Sequence, residues 1–330
     1  MLRSLFIRIM STMIRKALMI LPLWVANPTS GAEFQLVEQQ ELIGAATVIA
    51  ARYEDTFVSL ARSHNVGFEA LRRANPEVDA WLPGEGTQIV IPTQFVLPRA
   101  PHRGIVVNVA ELRLYYFPDA DGRRVITHPI SIGRMDWSTP LGTTSVVSKV
   151  VNPSWYPPQS IRDEHAARND PLPRIVPPGP DNPLGTHAFR LGLPGYLIHG
   201  TNKPSGVGMR VTHGCIRMFP EDIEALFKMV PPGTAVHIVN QPYKLGWGEA
   251  GLYLEAHPPL LELQAAVEWT PTELTRLFVA ATEERRIEVS WDSAERVLQA
   301  ARGIPEFVSI ASAQGDLPQS LAAETESDPE

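Results

Sequence analysis

The chain has 330 residues, 44% of them hydrophobic, and 29 Lys and Arg against 36 Asp and Glu give a formal net charge of −7. That is the balance of an ordinary globular chain, and its acidic excess argues against nucleic acid, which attracts basic surfaces. One cysteine in the whole sequence excludes an internal disulfide.

Residues 1–32 read as a secretory signal peptide. Basic residues run to Lys16, the apolar stretch ALMILPLWVA follows, and small residues stand at Ser30 and Ala32. Basic, apolar and small-x-small in that order describe a cleaved leader. Cleavage is expected after Ala32, with Met10 or Met13 as alternative starts. A membrane anchor is the competing reading, but the apolar run is far short of the ~20 residues a spanning helix needs. No later segment is apolar enough to span a bilayer, so the mature protein is expected to be exported without a membrane span, into a compartment that permits disulfides. An unpaired thiol there is an intermolecular bridge, an inert buried group or a reactive one.

After a polar lead-in over 33–43, residues 44–93 predict the order strand, helix, helix, strand. Asp55-Thr56 offers an N-cap to FVSLARSH, with Val58, Leu60 and Ala61 near one helical face. FEALRRA gives a second helix ending at Asn75-Pro76, and TQIVIP alternates like a short strand. With EDTFVSLARSHNVGFEALRRANP and PGEGTQIVIP this segment resembles a LysM module, a small peptidoglycan-binding fold, although Glu54 stands where such modules usually carry glycine. The plainer alternative is a small packing or spacer domain.

A linker over 93–104 leads into a mainly β domain over 101–242. GIVVNVAELRLYYFPD, VITHPISIG, TTSVVSKVV and AFRLGLPGYLIHG are strand-like runs separated by Gly, Pro and Asp-Gly. PEDIEALFKMV is its clearest helix, with Pro220 in the first turn, Glu221 and Asp222 at the positive end of the dipole and Pro231 as the stop. TAVHIVN closes the domain as a strand. A C-terminal extension over 243–312 predicts a hairpin in YKLGWGEAGLYLEAHPP and amphipathic helices in PTELTRLFVAATEE and SWDSAERVLQAARG. The acidic, small-residue tail 313–330 reads as disordered.

Reactive groups gather in YLIHGTNKPSGVGMRVTHGCIRM. His199 ends an apolar strand, and Cys215 follows sixteen residues later at a glycine-containing turn. A thiol attacks as thiolate, and an unassisted cysteine of pKa ~8.5 needs a base at neutral pH. Histidine supplies that base and then an acid for the leaving amine. Arg217 adds positive charge, and N–H groups around Gly214 and Cys215 would suit an oxyanion. Against this stand an inert buried thiol, a zinc site of His199, His213 and Cys215, and an Arg217 that merely holds a structural carboxylate.

IHGTN followed by THGCIRM, with PISIGRMDWSTPLGTTSVVSKVVNPSWYPP and DNPLGTHAFRLG upstream, resembles the YkuD-type L,D-transpeptidases over about Gly104 to Trp247. The LysM-like module and the C-terminal extension further resemble the Gram-negative periplasmic branch. The resemblance implies a β-sandwich-like catalytic domain that uses neither cofactor nor metal. Cys215 would be the nucleophile and His199 the base, with the Gly200 carbonyl orienting the imidazole. His213 and Gly214 would shape the pocket around the thiol, and Arg217, Thr212 and Thr201 would bind substrate. The implied partners are peptidoglycan tetrapeptide stems and an outer-membrane lipoprotein with a C-terminal lysine. Formation of 3-3 cross-links, hydrolysis, or a non-catalytic wall-binding role are the alternatives.

Overall fold

The computed structural model describes residues 31–263, 271–283, 285 and 287–310. Nearly all of the expected leader and the acidic tail therefore lie outside the described residues. Among those described, no helix is long and apolar enough to cross a membrane.

The N-terminal part contains β1 (Ala32–Gln35), β2 (Leu42–Gly44), β3 (Thr47–Ala50), α1 (Phe57–Ser63), α2 (Phe68–Ala74), β4 (Gln88–Ile91) and β5 (Gln94–Val96). Thr56 and Ser59 exchange side chain and backbone in a reciprocal cap: Ser59 N–H donates to Thr56 Oγ1 at 3.1 Å and Thr56 N–H to Ser59 Oγ at 3.0 Å. The helix buries Phe57, Leu60 and Ala61, whereas Val58 is only partly covered. Both helices, which lie between β3 and β4 in the chain, pack on the two-stranded antiparallel β3–β4 sheet through Val66, Leu71, Ile89 and Ile91. Buried Asn75 ends α2 because its side chain donates to Leu71 O and Val90 O and accepts from Val90 N–H.

The β domain follows with β6 (Gly104–Asn108), β7 (Arg113–Phe117), β8 (Arg124–Pro129), β9 (Ile132–Gly133), β10 (Gly142–Val151), α3 (Gln159–Ala167), β11 (His187–Leu191), β12 (Leu197–His199), β13 (Arg210–Thr212), β14 (Ile216–Arg217), α4 (Pro220–Met229) and β15 (Ala235–Val239). Nine strands form one mixed sheet in the order β1-β8-β7-β6-β15-β10-β11-β12-β14. Ile126, near one edge, and Ile216, at the other, belong to a single buried cluster with Leu114, Phe189 and the α4 residues Ile223 and Leu226. The sheet therefore curls back on itself and encloses its own core, the mainly β, sandwich-like arrangement that the sequence implies. β6 and β7 read as unbroken apolar runs because both of their faces are covered. Ile105 and Leu114 face that core, while Val106 and Tyr115 meet Ile43 and Phe95 from the N-terminal segment. The expected polar lead-in is in part a strand, since β1 pairs with β8 from Ala32↔Thr127 to Gln35↔Arg124.

The module is bound to the β domain through the start of α4. Arg62 makes two hydrogen bonds to Glu221, at 2.8 and 3.0 Å, and Asn65 Nδ2 donates to Asp222 at 2.9 Å. The backbone N–H groups of Phe68 and Glu69 donate to Val207 O and Gly208 O.

The extension comprises β16 (Tyr243–Gly248), β17 (Gly251–Ala256), α5 (Pro271–Thr282), β18 (Glu288–Val289), α6 (Trp291–Ala300), β19 (Glu306–Phe307) and β20 (Ser309–Ile310). The hairpin β16–β17 and the helices share a core of Leu252, Leu254, Phe278 and Val297. At its junction with the sheet lies a buried charge cluster. The Lys244 ammonium pairs with Glu111 and with Glu255 at 3.0 Å, and donates to Val96 O at 2.7 Å.

Candidate active site

β12 and β14 run parallel with Ile198 opposite Ile216 and His199 opposite Arg217. Alternation along a strand then decides which side chains share a face. Ile198 and Ile216 point into the core. Cys215, Arg217 and His199 consequently project together from the other face, Cys215 and His199 as diagonal neighbours. All three line one cleft of about 750 Å³.

His199 is 4% exposed, and its Nδ1–H donates to the Gly200 carbonyl at 2.6 Å. A carbonyl only accepts, so the proton sits on Nδ1 and the lone pair on Nε2. Burial, reinforced by the Arg217 charge, lowers the imidazole pKa to about 3 against the pull of the Gly200 and Leu184 carbonyls. The ring is neutral at physiological pH. Burial raises the Cys215 thiol, opposed by the Leu197 backbone and by Arg217. The resting pair is therefore thiol and neutral imidazole, and the thiol donates to Gly195 O at 3.7 Å.

His213 also lines this cleft, but its Nε2 is engaged away from the thiol. Its Nε2 lies 2.9 Å from Glu164 of α3, and its ring meets the Trp137 ring edge-on at 5.2 Å. Burial, together with the charge of Arg134, lowers its pKa to about 4. Gly214 has φ +96°, and a Cβ there would come within 2.9 Å of Tyr196 Cε1. The motif therefore needs glycine at this turn for two separate reasons.

The two threonines depart from expectation. Thr201 is buried away from the cleft lining, and its Oγ1 accepts the Lys203 N–H at 2.9 Å. Asn202 and Lys203 line the cleft in its place. Thr212 reaches the cleft, but its hydroxyl donates to the Cys215 carbonyl at 2.6 Å and so shapes the turn. Arg217 has a buried Nε without a hydrogen-bond partner and, among the described residues, no carboxylate in an ion pair with it. His199, His213 and Cys215 do not gather as metal ligands. Among the described residues, Glu111, Glu255 and His257 form such a group, and the Lys244 ammonium already stands among their oxygens.

The sequence profile of the YkuD L,D-transpeptidase catalytic domain matches residues 102–238. The probable L,D-transpeptidase YbiS of Escherichia coli K12 is 39% identical over 266 residues, covering 79% of this chain and 84% of that protein. The chain belongs to the L,D-transpeptidase family. The probable L,D-transpeptidase YcfS of the same organism is 48% identical over 210 residues, 62% of this chain, and the match spans 65% of that protein's length. Among solved structures, L,D-transpeptidase 3 from Mycobacterium tuberculosis is similar over 48% of this chain and 73% of its own, at 19% identity and a TM-score of 0.33.

Part of one wall of the cleft is invisible to sequence pattern. The segment between β10 and β11 supplies Trp155, Tyr156, Ile161, His165 and Leu172 to the lining. Its helix α3 buries only Ile161, so no apolar period betrays it. Glu164 on this helix gave no signal except a carboxylate in a proline-rich region.

Proposed function

We propose that this enzyme is a periplasmic cysteine L,D-transpeptidase that acts on peptidoglycan tetrapeptide stems. The observation that carries the reading is the shared face of Cys215, His199 and Arg217 at the cleft, with His199 Nε2 free to accept a proton. The Cys215 proton passes to His199 as sulfur attacks the carbonyl of the diamino acid at stem position three. The tetrahedral intermediate collapses, His199 returns the proton to the departing amine, and D-alanine leaves. A thioester remains on Cys215. An amine then attacks it and gives its proton to His199, the C–S bond breaks, and His199 passes that proton to the departing sulfur, restoring the thiol and the neutral imidazole. No step calls on a metal or cofactor.

For the acceptor, the C-terminal lysine side chain of an outer-membrane lipoprotein is the first choice. The support is the resemblance of the extended domain plan: a module over 44–93 ahead of the catalytic domain, and an extension over 243–312 behind it. Another stem would give 3-3 cross-links, and water would give carboxypeptidation. Export by a leader over 1–32 accords with the single unpaired cysteine.

Cys215→Ala is expected to bind sacculi as before and to release no D-alanine from tetrapeptide muropeptides. Intact-protein mass after incubation with a carbapenem should show one acyl adduct per chain in the parent and none in the variant. Release of D-alanine by Cys215→Ala would overturn the nucleophile assignment. Mass analysis of products formed with a lipoprotein or a second muropeptide identifies the acceptor.

A further inference from the structure

We propose that Glu164 is a latch that holds the α3 wall of the cleft against the cysteine motif and, in doing so, positions His213. The proposal rests on reading this cleft as the site of acyl transfer. Its starting point is an imbalance. A nine-residue helix with a single buried side chain gains little from apolar packing, and helices this short are marginal without tertiary support. Something else must fix α3 where it stands.

Glu164 gathers three donors from three places. It accepts from Arg134 Nη2 at 2.7 Å and faces His213 Nε2 at 2.9 Å, and Arg168 pairs with it one turn along the helix. Arg134 follows β9, and its own N–H donates to Thr212 O at 3.0 Å, inside the motif. His213 is two residues from the thiol. One carboxylate therefore joins the helix wall to both segments that frame Cys215. Its side chain is 19% exposed and that of His213 23%, shielded enough for a charged hydrogen bond to matter. The contact also selects a tautomer: a carboxylate accepts, so His213 carries its proton on Nε2 and leaves Nδ1 bare. Without Glu164 the wall is free to swing away and the ring to turn.

The test compares Glu164→Ala and Glu164→Gln with the parent full-length chain. Because Cys215 is the single thiol, iodoacetamide reports the openness of the cleft without any assumption about substrate. Alkylation should be about tenfold faster in Glu164→Ala, and intermediate in Glu164→Gln, whose amide oxygen still serves one donor. Nitrogen-15 spectra should show His213 protonated on Nε2 in the parent and a mixture of tautomers in Glu164→Ala. With tetrapeptide as donor, KM should rise about tenfold in Glu164→Ala while kcat changes less than threefold, the pattern of lost uniform binding. Unchanged alkylation and ring spectra in both variants would overturn the latch. If those two shift while the parent chain proves inert towards tetrapeptide, the latch stands and the substrate reading fails.

Discussion

His199 and Arg217 are direct partners across the parallel strands β12 and β14. A buried imidazole beside a guanidinium is held neutral, and the same guanidinium opposes the rise that burial imposes on the Cys215 thiol. Arg217 thus acts on both reacting groups, and in one direction: it keeps the base unprotonated and eases ionisation of the thiol. Arg217→Gln should raise the proton affinity of both. Alkylation of Cys215 at pH 8 is expected to slow by about tenfold, the size of effect that one nearby buried charge has on a pKa. The rise of the alkylation rate with pH, which follows the thiolate, should move to higher pH in the variant. Rate profiles of iodoacetamide alkylation read this effect, and a variant that overlays the parent would remove Arg217 from this role.

The same burial makes the protein acid-sensitive. His199 has a pKa of about 3 when folded and His213 about 4, against about 6.5 for an unfolded histidine. Between those values the unfolded chain binds protons that the folded chain refuses, so stability falls as pH drops through 6.5 and continues to fall toward 3. From pH 6.5 to 5 carboxylates scarcely titrate, and each such histidine costs about 1.5 kcal/mol. His64, His102 and His187 are lowered as well and steepen the same window. His199→Gln should remove one share of the slope in urea unfolding followed over this range. Parallel slopes in parent and variant would contradict the neutral buried imidazole.

Docking of the N-terminal module is tested at Gly208. This residue has φ +85°, and a Cβ would overlap the backbone of Gly67 and Phe68 across the junction. Gly86 has a similar φ of +82° with open space around it. Alanine at either site carries the same backbone strain, about 1 kcal/mol, but only Gly208→Ala also forces the module off the loop that leads to Thr212. The overlap adds an overpacking cost of about 1–3 kcal/mol, so Gly208→Ala should lose about 5 °C in Tm beyond Gly86→Ala, at about 2–4 °C per kcal/mol for a unit of about 150–250 residues. Equal melting points for the two would mean that the junction yields freely.

Much of this arrangement was legible in the residues. Val, Ile and aromatic runs marked the strands, Thr56 marked the start of α1, and IHG with THGCIRM identified the two halves of the cleft. The resemblance pointed to His199 as base, and strand alternation across a parallel pair explains why it shares the face of Cys215. The turn-closing bonds of Thr201 and Thr212 were hidden because a hydroxyl beside a site looks the same whether it meets a ligand or closes a turn. The wall helix α3 and Glu164 escaped notice because polar contacts between segments 49 residues apart leave no periodic trace. Glu111, Lys244 and Glu255 were equally hidden, three ordinary surface residue types brought into the interior only by the docking of the extension.

That last cluster makes a sharp prediction about how the extension is held. Lys244 is 2% exposed between Glu111 and Glu255, Glu255 also bonds His257 at 2.6 Å, and Val96 N–H donates to Glu255. Attraction to Lys244 and hydrogen bonding from His257 outweigh burial and lower the Glu255 pKa to about 2, whereas burial dominates at Glu111 and raises it. Lys244→Met would leave two buried carboxyl groups without their direct ammonium partner, with only Arg113 and His257 nearby. The cost of such an orphaned charge is about 3–5 kcal/mol. Removing one charge of each sign instead, in Lys244→Met/Glu255→Gln, keeps one acceptor oxygen, for either Val96 or His257, and should recover much of that loss. Urea unfolding of the two variants decides the matter. If the double variant is no more stable than Lys244→Met, the cluster is held by shape rather than by charge balance.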